Sequence, residues 1–360
     1  MKVLHLSSER SWRGGEQQIA YLIEASINKG IACFVACKKG SAFEDYCLKN
    51  NIPYIAVGFK NELDIFTALE LKKICKQKGI DIIHAHSSHS HAMAVWSAIL
   101  GNQTRFFLHR RVDFPMKNNF FSSFKFNFRG IEKIICISKK IEEVMRKDLK
   151  VPDKCLTVSS GIDLDRFSKS VDTGVLKKQL NIPENGKIIG NISAIADHKD
   201  YYTFVDVADQ VIEKNPTTYF VLIGDGPLYE EIKSHIATKR NKTQILMTGF
   251  RNDIPEIIKE LDIFLMTSKT EGLGTTLLDT FANRIPVVAT RAGGIPEAVI
   301  HDETGLLADI KDVSTLVNHV TRLLADDQLC ERLTERAYRH LLNNFTKEKM
   351  ADGVIAAYQN

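Results

Sequence analysis

Short apolar runs alternate with helical patterns through the first half of this 360-residue chain. Each run has the length and composition of a buried strand, and helical patterns begin from about Ile19 and cover Leu63–Gln77. The strand-like runs are Val3–Leu6, Ala32–Ala36, Ile80–His84, Phe106–His109 and Ile134–Ile137. Strands that alternate with helices predict parallel crossovers, so this half predicts a doubly wound α/β domain.

The second half repeats the pattern. At the junction, Val158–Phe167, a final strand is followed by a glycine turn and a polar stretch that extends to Ser170. The later strand-like runs are Ile188–Ile192, Tyr219–Ile223, Ile245–Thr248, Ile263–Met266 and Val287–Ala289, and the closing helical runs are Val313–Leu324, Leu329–Asn343 and Lys347–Tyr358. The length of 360 residues suggests two domains, and the repeated alternation predicts an α/β fold in each.

The stretch from Asp262 to Asp279 combines several features of a binding site. A buried strand, Ile263–Met266, precedes a polar loop with Glu271 and two glycines, and a helix begins near Gly274. Free amides and the helix dipole at that start suit a phosphate, and Glu271 can accept hydrogen bonds from sugar hydroxyls. Asp279 returns to roughly the same helix side as Glu271. These features indicate a nucleotide-sugar site, with an amphipathic helix and incidental acids as an equally weighted alternative.

Other predicted strands also end in glycine-bearing or charged loops. Gly14 and Gly15 separate the first strand from the first helix, and Lys199 follows Ile188–Ile192, where it can neutralise a phosphate. The G-D-G-P at Gly224–Pro227 lacks the third glycine of a dinucleotide fingerprint, which disfavours a dehydrogenase. Ligands of open parallel sheets bind outside the carboxyl ends of the strands, so these loops predict one binding edge in each domain.

Four histidines lie in the segment His84–His91, H-A-H-S-S-H-S-H. They allow a zinc hypothesis. However, they occupy one strand-to-helix junction without an interspersed cysteine or carboxylate, so we favour polar side chains that line a cleft and predict no metal. His109 ends the next strand and is expected at the same cleft, although a strand-end histidine bonded to backbone is the simpler alternative.

The net charge is +4, but it is uneven, because residues 101–150 carry twelve Lys or Arg against five Asp or Glu. Basic and aromatic side chains interleave there: Arg105, Arg110, Arg111, Lys117, Lys125, Arg129, Lys133, Lys139, Lys140, Phe114, Phe120, Phe121, Phe124, Phe126 and Phe128. This pattern fits an anionic membrane surface or an anionic acceptor. A core helix with a basic outer face is a slightly favoured alternative, and no nucleic-acid motif accompanies the stretch.

Seven scattered cysteines without a C-x-x-C pair indicate reduced thiols. The chain enters its first strand without a signal-peptide core, and no apolar run approaches the length of a membrane span. We therefore expect a cytoplasmic protein, with peripheral contact at the inner membrane face.

In their order and spacing, these motifs resemble those of the family 4 glycosyltransferases, retaining enzymes of the GT-B fold, over nearly the whole chain. The matching segments are G-G-E-Q-Q, I-I-H-A-H, I-C-I-S-K-K-I, S-S-G-I-D-L-D-R-F, G-D-G-P-L, T-G-F-R-N-D-I, S-K-T-E-G-L-G-T-T-L-L-D and P-V-V-A-T-R-A-G-G-I-P-E. The resemblance implies two Rossmann-like domains that face a cleft. Residues 1–165 would bind the acceptor, residues 166–342 the donor, and residues 343–360 would form a helix that crosses back.

The resemblance also implies a reaction. A hexose-type sugar would pass, with retention and without metal or other cofactor, from a nucleotide-diphosphate sugar, UDP or GDP, to a glycan or lipid-linked acceptor. Such transfers build bacterial surface polysaccharide or lipopolysaccharide. Glu271 would contact the donor sugar, Lys199 would neutralise the leaving phosphate and His109 would lie beside the sugar. The expected donor-binding residues are Gly14, Gly15, Gly224, Gly226, Phe250, Arg251, Gly272, Leu273, Gly274, Thr275, Thr276 and Asp279, and the expected acceptor-binding residues are His84, His86, Arg110 and Arg111.

Two positions depart from the family pattern. The second acid is Asp279 instead of glutamate, and Ala194 replaces the arginine expected five residues before Lys199. A missing cation at a departing diphosphate would slow catalysis, so we expect His198 or Arg291 to supply part of the charge. A nucleotide-sugar-binding protein with little or no transfer activity and a nucleotide-sugar epimerase are the alternative hypotheses.

Overall fold

The predicted alternation of strands and helices is confirmed in both halves of the chain. The computed structural model describes residues 1–116, 119–168 and 174–360; Lys117 and Ser170, which belong to predicted segments, lie outside these ranges. The described chain forms two units, one of Met1–Ile162 with Thr346–Asn360 and the other of Asp163–Phe345.

Seven parallel strands form the sheet of the first unit. They are β1 (Lys2–Ser7), β2 (Ala32–Lys38), β3 (Tyr54–Val57), β4 (Ile82–Ala85), β5 (Arg105–Arg110), β6 (Ile131–Cys136) and β7 (Cys155–Thr157). The helices of this unit are α1 (Gly14–Asn28), α2 (Ala42–Lys49), α3 (Ile65–Lys78), α4 (Ser88–Ile99), α5 (Phe120–Phe126), α6 (Lys139–Asp148) and, at the end of the chain, α16 (Lys347–Gln359). The strand order is β3-β2-β1-β4-β5-β6-β7, so the direction of winding reverses between β1 and β4, where ligands of such sheets bind.

Six parallel strands form the sheet of the second unit. They are β8 (Lys187–Ile192), β9 (Thr218–Ile223), β10 (Ile245–Gly249), β11 (Ile263–Met266), β12 (Val287–Thr290) and β13 (Leu306–Ala308). Its helices are α7 (Asp165–Ser168), α8 (Val175–Gln179), α9 (Tyr201–Lys214), α10 (Tyr229–Ala237), α11 (Ile254–Ile257), α12 (Thr275–Ala282), α13 (Ile295–Ala298), α14 (Val313–Ala325) and α15 (Asp327–Asn344). The strand order is β10-β9-β8-β11-β12-β13, which again reverses the winding, here between β8 and β11.

The last helix packs against the first unit through an apolar face. Val354 and Tyr358 of α16 share a buried cluster with Tyr21 of α1 and with the sheet residue Phe107. Gly161 admits the chain that enters this helix, because a Cβ atom at Gly161 would lie 2.6 Å from the carbonyl oxygen of the residue before α16. The segment after the second unit is therefore part of the core of the first.

One predicted helix start is wrong, the final strand predicted within Val158–Phe167 lies before that segment, at Cys155–Thr157, and two strands were not predicted. Helix α1 begins at Gly14 and not near Ile19, because the Glu16 carboxylate accepts the Arg13 N–H at 3.1 Å and caps the first turn. Strand β3, at the edge of its sheet, was missed because only one of its residues is buried, and β13 was missed because it has three residues. All seven cysteines are free thiols.

Candidate active site

Two charged side chains meet at the carboxyl edge of the second sheet. Strands β8 and β11 are neighbours, so the loops that follow them lie side by side. Lys199 follows β8 and Glu271 follows β11, and the Lys199 ammonium forms an ion pair with the Glu271 carboxylate. Their side chains are 13% and 15% exposed, so the pair is largely shielded from water. Two residues predicted to be catalytic are therefore in direct contact.

Further contacts hold these two loops together. The Lys269 N–H donates to the His198 carbonyl at 2.7 Å. Directly after Lys199, Asp200 has a φ of +50°, and its carbonyl accepts the Thr267 hydroxyl at 3.0 Å. A non-glycine residue in the left-handed region needs support from its surroundings. The loop contacts supply that support and set the direction of the Lys199 side chain.

The loop that carries Glu271 leads into the amino end of α12. The backbone carbonyl of Glu271 accepts the Gly294 N–H at 2.8 Å. This hydrogen bond anchors the Glu271 loop to the loop after β12. Gly272 and Gly274 are buried, and Gly274 turns the chain into the helix with a φ of +79°. The first N–H groups of an α-helix lack intrahelical acceptors and carry the positive end of the dipole. The start of α12 is therefore suited to an anion beside Lys199.

Asp279 lies within α12, whereas Glu271 lies in the loop before it. The predicted helix start near Gly274 is confirmed, and the expectation that the two acids lie on the same side of this helix stays a prediction. The Asp279 carboxylate lies 3.9 Å from the Arg166 guanidinium. Burial raises the pKa of Asp279 to about 6, although Arg166 acts in the opposite direction.

We expect Asp279→Asn to raise the free energy of unfolding at pH 7 and to leave it nearly unchanged at pH 4. The pKa of this carboxyl is about 6 in the folded protein against an ordinary value of 3.8, so folding favours its protonated form. Its stabilising contribution is complete below the ordinary pKa and is lost as the pH rises through 6. Urea unfolding of both proteins from pH 4 to 8 measures this, and a constant difference between them would contradict the raised pKa.

The expected donor-binding glycines after β9 are explained by packing between neighbouring loops. A Cβ atom at Gly224 would lie 2.0 Å from the Ser193 carbonyl oxygen, and one at Gly226 would lie 2.4 Å from the Ile195 carbonyl oxygen. The loops after β8 and β9 can approach this closely only without side chains at these two positions. Any contact of Gly224 or Gly226 with the donor stays a prediction.

The remaining expected donor residues of this unit differ in their environments. Phe250 is 70% exposed, and the Arg251 guanidinium is paired with Asp253. The Thr276 hydroxyl donates to the Ile192 carbonyl at 3.2 Å. Leu273 is buried and Thr275 is half-buried at the start of α12. Arg291, which was expected to compensate for Ala194, has its guanidinium 3.7 Å from the Asp309 carboxylate.

In the first unit, four histidines meet at the carboxyl edge of the sheet. His84 and His109 lie on the neighbouring strands β4 and β5, and His86 follows β4. The fourth, His5 on β1, was missed by the sequence analysis, although it is paired in register with His84. The Tyr358 hydroxyl is hydrogen-bonded to Nδ1 of His84, so the terminal helix supports this group of side chains. Burial lowers the pKa of all four imidazoles well below the ordinary value, which keeps them neutral at pH 7.

Three of these histidines, His5, His84 and His86, can offer ring nitrogens that lie within 4.8 Å of one another. However, Nδ1 of His5 and Nε2 of His86 are 3.0 Å apart and share one hydrogen bond. In a neutral pair joined in this way, one of the two outer nitrogens carries a proton and only the other has a free lone pair. A three-nitrogen metal site would have to break this bond, so the present arrangement does not favour one.

Beside the histidines lies a cavity of about 560 Å³. It is lined by the predicted residues Gly15, His86, His109, Arg110 and Arg111, among others. The structure thus groups most of the sites predicted for the first unit around one cavity.

Two family models match the chain, and together they cover most of its length. "Glycosyltransferase Family 4" matches residues 12–166, and "Glycosyl transferases group 1" matches residues 172–340. The first match lies largely in the first unit and the second lies within the second unit.

Curated relatives have similar lengths. The chain is 24% identical over 376 residues to the Escherichia coli UDP-Gal:alpha-D-GlcNAc-diphosphoundecaprenol alpha-1,3-galactosyltransferase, with 99% of this chain and 96% of that protein covered. It is 23% identical to the lipopolysaccharide core biosynthesis glycosyltransferase LpsE of Rhizobium meliloti (strain 1021), with 99% and 98% covered.

Among solved structures, Anabaena Alr3699/HepE in complex with UDP is similar over the full length of both chains, with a TM-score of 0.86 and 18% identity. The fold is therefore GT-B, as the resemblance implied. From the family matches and the full-length relatives we conclude that this chain belongs to the family 4 glycosyltransferases and is a glycosyltransferase.

Proposed function

We propose that this enzyme transfers a hexose, with retention of anomeric configuration, from a UDP-sugar to a lipid-linked glycan acceptor. The observation that carries the proposal is the shielded Lys199–Glu271 ion pair beside the amino end of α12. The choice of substrates is supported by the name of the E. coli relative, which specifies UDP-Gal and a diphosphoundecaprenol acceptor. The Anabaena neighbour has also been crystallised with UDP-glucose.

The chemistry follows from where charge develops. As the bond between the sugar and the nucleoside diphosphate breaks, negative charge accumulates on the leaving phosphate. In this proposal the Lys199 ammonium and the first N–H groups of α12 stabilise that charge. Glu271 then exchanges its bond with Lys199 for hydrogen bonds from the sugar hydroxyls. The Asp279 carboxylate accepts a hydrogen bond from a ribose hydroxyl of the nucleotide. The roles proposed for Gly14, Gly15 and His109, which belong to the first unit, rest on the family resemblance.

Peripheral contact with an anionic membrane is part of the proposal. Within the basic stretch of residues 101–150, the side chains of Phe114, Phe120 and Phe124 are exposed, and Phe120 is 87% exposed. Phe121 and Phe126 are half-buried. Exposed aromatic side chains beside cations suit the interface of an anionic bilayer. Within the described ranges, no helix has the length and hydropathy to cross a membrane.

A second candidate, a nucleotide-sugar-binding protein with little transfer activity, is favoured by one observation. Ala194, at the position of the family's arginine, is exposed and adds no charge to the site. The epimerase alternative predicts conversion of the sugar without an acceptor.

We expect UDP and its sugars, more than GDP, ADP or CMP compounds, to raise the melting temperature, by several degrees at 100 times the dissociation constant. Incubation of the stabilising donor with a diphosphate-linked lipid acceptor is then expected to yield a glycosylated lipid. Lys199→Ala is the matched negative control. Binding without product would support the second candidate, and isomerised donor without product would support the epimerase.

A further inference from the structure

The cavity of the first unit contains a buried cation without a partner. All three guanidinium nitrogens of Arg111 are buried, and none has a hydrogen-bond partner among the residues that the structure describes. Burial lowers the pKa of Arg111 to about 10, so the side chain is still protonated at pH 7. A desolvated charge that lacks hydrogen bonds costs folding free energy. Such a group indicates that its partner is a ligand.

The described side chains around this guanidinium form no hydrogen bond with it. Glu16 influences Arg111 electrostatically, but its carboxylate accepts the Arg13 N–H and shares no hydrogen bond with Arg111. A second carboxylate of the cavity, Glu62, is paired with Lys125 at 3.0 Å. The adjacent His109 is neutral, and both of its ring nitrogens are buried without a partner within the described chain. The cavity therefore offers the Arg111 cation and, from the neutral imidazole of His109, one further N–H donor.

Part of the lining of the cavity is aromatic. Phe114, Phe121 and Phe126 line it together with Met116. Arg110 contacts this aromatic lining, because its guanidinium lies 5.3 Å from the centre of the Phe126 ring and donates to the Phe114 carbonyl. Its Nε is buried without a partner among the described residues. A cavity lined by both a buried cation and aromatic rings fits an amphiphile with an anionic head.

We propose that this cavity binds the phosphorylated head of a lipid, with Arg111 as the fork that holds the phosphate oxygens and the phenylalanines as the wall for the first part of the apolar chain. Arginine suits this role because its planar donors pair with phosphate in two places at once. The identification of this lipid as the sugar acceptor rests on the proposed function. If the lipid is the acceptor, both the phosphate and the sugar of the acceptor bind to the first unit.

The test is direct binding of n-octyl diphosphate to the full-length protein by calorimetry, with saturating UDP to occupy the donor site. We expect n-octyl diphosphate to bind at least tenfold more tightly than n-octanol or inorganic pyrophosphate. Arg111→Met should weaken its binding by about 10- to 100-fold, because charge-assisted hydrogen bonds are lost. Arg111→Lys should recover part of the affinity. Arg240→Met, which removes a 79% exposed arginine of the second unit, should have no effect.

Stability separates a ligand-binding arginine from a structural one. In the absence of ligand, the melting temperature of the Arg111→Met variant should equal or exceed that of the wild type, since a buried unpaired charge is removed. Equal affinity of wild type and Arg111→Met for n-octyl diphosphate would overturn the proposal, as would pyrophosphate that binds as tightly as n-octyl diphosphate. Failure of sugar transfer with intact, Arg111-dependent binding would instead count against the proposed function alone.

Discussion

Replacing Lys199 with methionine is expected to reduce kcat by about 10²- to 10³-fold, the cost of losing one positioned charge at a developing anion. The ammonium is held at the start of α12 by the ion pair with Glu271 and by the left-handed Asp200 that follows it. The charge that it stabilises is largest in the transition state. The change should therefore appear mainly in kcat, with a smaller change in the KM of the donor. Initial rates at varied donor concentration measure both parameters.

The matched control is Lys269→Met. Lys269 belongs to the same pair of loops, and its ammonium pairs with Asp197 at 2.7 Å, but the Asp197 carboxylate is 81% exposed. An exposed pair contributes little, so kcat should change less than about threefold. The double variant Lys199→Met with Glu271→Gln tests the pair itself. Because the first replacement removes the cation beside a shielded carboxylate, the second should restore stability to unfolding without restoring kcat. Equal losses of kcat in Lys269→Met and Lys199→Met would contradict the assigned role.

Gly224→Ala should destabilise the second unit by about 3 kcal/mol or more, at the upper end of overpacking changes, because the clash is with backbone. The added Cβ atom would lie 2.0 Å from the Ser193 carbonyl oxygen, and the φ of +146° is unfavourable for any side chain. Relief requires the loop after β8 to move, and that loop carries Lys199. Gly224→Ala protein that remains folded should therefore also bind UDP more weakly than the wild type. Urea unfolding and UDP titration measure the two effects.

Gly249→Ala is the matched control for this strain. Gly249 has a φ of +72° and its carbonyl accepts the Gly224 N–H at 3.0 Å, but a Cβ atom there would meet nothing within 4 Å. This replacement should cost only the left-handed strain of about 1 kcal/mol. It should leave the loop after β8 and the affinity for UDP unchanged. Similar destabilisation of both variants would show that backbone conformation and not the clash dominates at Gly224.

The alternation of short apolar runs with helical patterns was sufficient to predict two parallel α/β units. That signal is local, since a strand buried on both faces is a short continuous apolar run and the helix that covers it shows a period of about 3.6 residues. The edge strands β3 and β13 were not predicted because β3 is too exposed and β13 too short to form a clear apolar run. The same local chemistry placed Lys199, Glu271 and the start of α12 among the predicted site residues, since each follows a strand.

Which of these residues meet was decided only by the tertiary structure. Lys199 and Glu271 are 72 residues apart and pair because β8 and β11 are neighbours in the sheet, an order that no local pattern encodes. His5 lies beside His84 for the same reason, because β1 and β4 are neighbours and pair these two residues in register. The isolation of Arg111 could not be predicted either, because its sequence neighbours do not reveal which side chains surround it. Local periods determine where elements form, whereas contacts between distant residues depend on how the elements are ordered in space.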